Sequence, residues 1–153
     1  MTAGQVGQAG QVTRVVRAAP VGRAGDWALA AVVLVHLAIS LVHGRAHVGA
    51  RVFLPLAGSL FVYIVILGAP LAGLALSRWR PRAGAWIVAA SLGGALIFGL
   101  VNHFVIAGDD HVSSVAPEWR TLFGATAALL VASEAVGAAT AVWYALRHVG
   151  RAA

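Results

Sequence analysis

Five of the six histidines gather toward one side of a chain built from four apolar segments. His36, Ser40, His43 and His47 are spaced by four, three and four residues. At about 100° per residue they share one helix face, provided the helix runs on through Gly44. His103 closes a later apolar segment, with Asn102 beside it, and His111 follows in an acidic loop. Histidine is costly in hydrocarbon, so such a cluster calls for a reason. Neutral imidazole ligates zinc, copper, nickel and iron. Two histidines on facing helices can also hold a haem from both sides.

His36, His43 and His103 are the candidate cofactor ligands. His36 lies two turns, about 10 Å, below His43, and His103 ends its helix at a similar outer level. A mixed nitrogen and oxygen metal site would draw on His43, His47, His103, His111 and Asp110, with Asp109 and Glu118 at its mouth. The spacing H-x6-H-x3-H is not specific to any one metal. The bland alternative is that His43, His47 and His111 are solvated at an interface and that His36 bonds a backbone carbonyl. His148 reads as a helix-end charge.

Glu134 is the second chemical feature. It sits about 20 Å from the outer end of the fourth segment, close to the middle of a bilayer. A carboxyl group there must be paired, neutral or facing water. Tyr63 falls at a neighbouring level, so His36, Tyr63 and Glu134 form a candidate polar interior. The alternatives for Glu134 are a proton-carrying or ligand-binding group and a protonated carboxyl whose interhelical hydrogen bond only locks packing.

The elements that must position these groups are four apolar runs, at residues 27–42, 52–77, 83–107 and 121–146. The composition is 60% hydrophobic and 10% charged, against about 25% charged in a soluble domain, which points to a membrane protein. A span needs about 20 residues, and runs two to four are long enough; the first is shorter. The expected fold is an all-α integral membrane protein, an up-down four-helix transmembrane bundle over 26–148. Helices are expected at about 27–43, 53–77, 83–107 and 119–147.

The net charge of +6 comes from arginine alone. Arg14, Arg17 and Arg23 precede the first run, Arg78, Arg80 and Arg82 separate the second and third, and Arg147 and Arg151 follow the fourth. Arg45, Arg51 and Arg120 lie on the other side with Asp109, Asp110 and Glu118. The positive-inside rule therefore puts both termini in the cytoplasm; the expected location is a bacterial-type inner (plasma) membrane. The arginines flank apolar runs without forming a continuous patch, which excludes nucleic acid as a partner.

Residues 1–25 carry a Gly-Gln repeat and read as a disordered basic cytoplasmic tail that could touch anionic lipid. No A-x-A-like site follows the first run, so no signal cleavage is expected. Asp26 looks like a helix N-cap, and Trp27, Trp79 and Trp119 like interface anchors. Gly68-Ala69-Pro70 predicts a kink. Ala90, Gly94, Ala95 and Gly99 in the third run, and Gly124, Ala128, Ser133, Gly137 and Ala141 in the fourth, predict close helix contacts.

With no cysteine, thiolate and iron–sulfur sites are excluded. No nucleotide loop, nucleophilic triad or H-E-x-x-H motif is present. Three functional readings follow. The first is a haem b or divalent transition-metal site in the outer half of the bundle, for electron transfer or metal handling. The second is a non-enzymatic accessory or scaffold subunit, partnered by other membrane subunits or by copies of itself. The third is a small proton-coupled carrier using Glu134.

Overall fold

A computed structural model describes residues 22–148. Most of the Gly-Gln tail, together with Arg151, lies outside the described residues. Four helices account for nearly everything else: α1, Gly22–Ala50; α2, Leu56–Leu76; α3, Pro81–Val105; and α4, Pro117–Arg147. Each is long and apolar enough to cross a membrane. α1 is longer than its apolar run suggests. It continues through Gly44, whose missing side chain leaves open space, and it begins before Asp26. Asp26 is accordingly not a cap; it accepts a hydrogen bond from the Tyr144 hydroxyl of α4.

The helix ends follow from local chemistry. Proline opens α3 and α4, where a missing N–H costs nothing. α1 stops at Arg51, which adopts a left-handed φ of 56°. Arg51 N–H then bonds Val48 O at 3.2 Å, and Val52 N–H bonds His47 O at 3.0 Å. This is the six-to-one and five-to-two pairing of a Schellman cap, made here by an arginine where glycine is usual.

Inside α2 the turns widen over Val62–Gly68, so that Ala69 N–H reaches back five residues to Ile64 O. Pro70 has no N–H to offer Ile66 O, four residues earlier. Two carbonyls are thereby released from the helix ladder. Val65 O accepts the Ser91 hydroxyl of α3, and Ile66 O lies 3.1 Å from His36 Nε2 of α1. The break predicted at Gly68–Pro70 is therefore a widened turn that binds two neighbouring helices. A second wide turn, Val101–Val105, ends α3, with Ile106 N–H on Val101 O at 2.8 Å.

One buried cluster joins Leu29 and Val33 of α1, Val88 and Leu92 of α3, and Ala141 and Tyr144 of α4, with Leu74 of α2 packed against it. It pairs the starts of α1 and α3 with the ends of α2 and α4, so successive helices alternate in direction. A second cluster at the opposite end holds Ala46, Val52, Val115 and Phe123. α4 packs between α1 and α3, and α3 packs between α4 and α2. α1 meets α2 mainly through Ala69–Leu76, near the first cluster.

The α2 and α3 backbones approach each other closely at Gly73 and Gly84. A methyl on Gly84 would lie 2.4 Å from Gly73 O. Ala95, Gly137 and Ala141 do face the interior, whereas Ala90 and Ala128 face outward.

Candidate metal centre

His43 and His47 lie one turn apart on α1, and the wide turn of α3 brings His103 across to meet them. His43 Nε2 is 3.2 Å from His103 Nε2 and 3.1 Å from His47 Nε2. One nitrogen from each of the three rings lies within 4.8 Å of the others. His43 and His103 are buried, at 6% and 5% exposure, and His47 is half-buried. Phe123 of α4 packs against all three rings at 4.7–5.2 Å between centroids and walls the cluster off from behind.

The other nitrogen of each ring is already committed. His47 Nδ1 faces Val52 O at 3.2 Å. His103 Nδ1 faces Asp110 O at 3.0 Å. A carbonyl can only accept, so both Nδ1 atoms carry hydrogen and donate. His43 Nδ1 is 2.8 Å from Thr126 Oγ1. The Thr126 hydroxyl donates to Leu122 O at 2.7 Å, so it accepts from His43. The network thus assigns all three protons to Nδ1, and the three converging Nε2 atoms each present a lone pair.

Three mutually facing lone pairs require a positive centre. A proton satisfies two of them at a time; a metal ion satisfies all three. Ligands around a tetrahedral ion with bonds of about 2.0–2.1 Å sit about 3.3–3.4 Å apart, close to the two spacings from His43, while His47 and His103 lie within 4.8 Å of each other. Anchoring each Nδ1 to an oxygen is the outer-shell pattern that fixes the tautomer of metal-bound histidines.

Asp110 adds the charge. Its Oδ1 lies 3.4 Å from His47 Nε2 and 3.3 Å from His103 Nδ1. Neither carboxylate oxygen has a hydrogen-bond partner, although both are buried. A carboxylate this close to the three imidazoles favours positive charge among them, as a proton or as a metal ion.

The remaining candidates lie elsewhere. His111 bonds Ser113 at 2.7 Å in the loop and does not join the trio. His36 is 1% exposed but belongs to a separate group. Its Nδ1 faces Glu134 Oε1 at 3.6 Å, and its Nε2 faces Ile66 O. Ser40, on the same face, bonds His36 O at 2.8 Å. Glu134 does face the interior, at 2% exposure. Tyr63 does not join His36 and Glu134; it is 68% exposed on α2. His148 bonds Tyr144 O at the far end of α4.

Two outer-shell groups have no mark of their own in the sequence. The Val52 carbonyl is placed by the α1 cap. Thr126 lies eight residues before Glu134, hence on the same face of α4 and about 12 Å further out, which is the pattern that could have flagged it. No protein-family model, curated protein or solved structure matches this chain.

Proposed function

We propose that this protein is an integral membrane protein that binds one divalent transition-metal ion through Nε2 of His43, His47 and His103, with Asp110 balancing its charge. The observation that carries the reading is the commitment of all three Nδ1 atoms, which leaves three Nε2 lone pairs within 4.8 Å of one another. Zinc suits a compact set of imidazoles with an adjacent carboxylate and no thiolate. Haem fits less well. Axial histidines on opposite faces of a porphyrin hold their nitrogens about 4 Å apart with the macrocycle between them. Here the nitrogens are 3.1 and 3.2 Å apart with the rings packed edge to face. Metal handling is therefore favoured over haem-based electron transfer.

Three protein ligands leave a coordination position open, as in sites that exchange or activate a bound molecule rather than only brace a fold. In this reading the chain sits in a bacterial-type inner membrane, and the arginine distribution supports cytoplasmic termini with the metal centre toward the outer face.

The test is elemental analysis of the purified protein beside its absorption spectrum. One zinc, or another divalent transition ion, per chain without a Soret band is expected. A stoichiometric Soret band would replace the metal reading with haem. Absence of both, also after incubation with zinc, would leave a scaffold subunit.

A second reading rests on His36 and Glu134. His36 Nε2–H donates to Ile66 O, leaving Nδ1 as an acceptor opposite Glu134. One proton shared by this pair makes it neutral overall: on Glu134 it leaves both groups uncharged, and on His36 Nδ1 it makes an ion pair. The arrangement suits a proton-carrying role, with the carrier function it would serve.

A further inference from the structure

A cavity of about 410 Å³ adjoins the three histidines, within the roughly 300–1,000 Å³ range of small-molecule sites. His43, His47 and His103 all line it, with Asp110 at the same end and Glu134 deeper. Most of the remaining wall is apolar, including Val62 and Ile66 of α2 and Phe98 of α3. The Val52–Leu54 connection lines it at the histidine end, held there by the bonds between Val52 and His47.

α1 and α2 meet mainly through Ala69–Leu76. Along the outer half of the seam, the cavity-lining residues Leu41, Val48 and Tyr63 are 63%, 57% and 68% exposed. In a bilayer this seam faces lipid. A molecule reaching the open metal position by this route must be soluble in hydrocarbon yet carry a ligand for the ion.

We propose that the cavity binds a single-chain amphiphile with an anionic oxygen head group, which enters from the bilayer between α1 and α2 and sets its head on the metal. The proposal rests on the metal reading above. Charge selects the head. Three neutral imidazoles leave both charges on a divalent ion, Asp110 offsets one, and a carboxylate would offset the other. Depth selects the orientation. The histidines sit at the outer helix ends, where lipid head groups lie, and the apolar wall runs inward from them.

The test replaces the native metal with cobalt(II) in protein reconstituted into phosphatidylcholine nanodiscs, and follows the visible cobalt bands during titration with laurate or acetate. Laurate is expected to shift the bands at a concentration at least about tenfold below acetate, since its chain is buried and the bilayer concentrates it. Val62→Trp, which fills the seam, should keep the cobalt bands and lose the preference for laurate. Leu41→Trp, at an exposed seam position, serves if Val62→Trp does not fold. Equal action of laurate and acetate would overturn the amphiphile site and leave the metal centre standing, as would a laurate preference that survives in the seam variants. Failure of the parent protein to show four-coordinate cobalt bands would overturn both.

Discussion

His43 is the residue on which the metal reading turns. Its Nε2 contacts both other ligands, and its Nδ1 is held by Thr126. Replacing it with alanine leaves two ligands on separate helices and opens a void beside Phe123. The void lowers stability with or without metal, so the informative quantity is the zinc-induced change within each variant. At free zinc one hundred times Kd, binding to the folded state alone stabilises by about 2.7 kcal/mol. For a chain of this size that is roughly 5–11 °C in Tm, at about 2–4 °C per kcal/mol. Thermal unfolding in detergent, with zinc and with a chelator, measures it. The parent should show the full shift and His43→Ala nearly none. His111→Ala should keep it, because His111 bonds Ser113 away from the trio. Lowering the pH should shrink the parent's shift, since imidazole must be deprotonated to ligate and protons compete with the ion. No zinc shift in the parent, or an equal shift in His43→Ala, would refute the reasoning.

Glu134→Gln should keep stability within about 1 kcal/mol, because an amide N–H can face the His36 acceptor, whereas Glu134→Leu should cost about 1–3 kcal/mol by leaving it unpaired; chemical unfolding of both variants decides. Infrared titration should show the carboxyl band of a neutral Glu134 at neutral pH, absent from Glu134→Gln. Gly84→Ala should destabilise by several kcal/mol or prevent folding, since its methyl meets the α2 backbone, while Gly93→Ala, with nothing near, should change stability by less than about 1 kcal/mol. Arg51→Gly should raise Tm, gaining about 1 kcal/mol by relieving the left-handed backbone at the α1 cap. Reporter fusions after Arg82 and after Arg151 should both read cytoplasmic; an external signal from either would reverse the proposed topology.

Four helices were legible in the sequence because three apolar runs of span length and a shorter first one leave few other structures open to the chain. The shared face of His43 and His47 was legible as well, since helical phase depends only on spacing. Boundaries were less so. α1 extends through Gly44 and ends on an arginine, because the cap geometry at Val48, Arg51 and Val52 overrides glycine's weak preference. What spacing could not reveal was the partition of the histidines. His36 has the same phase as His43 but lies two turns, about 10 Å, below it; what spacing could not reveal is that at that depth it meets Glu134 and the Ile66 carbonyl freed by Pro70 and the widened turn of α2. His103 joins the trio and neighbouring His111 does not, because the wide turn of α3 and the loop to Asp110 aim only one of them inward. Tyr63 matches Glu134 in depth but faces outward, since depth along a helix says nothing of rotation against its neighbours. The sequence by itself determined the four apolar helices and the store of imidazoles near one end. Only tertiary structure decided which three meet, because Nε2 atoms about 3 Å apart depend on how helices distant in sequence are rotated and packed.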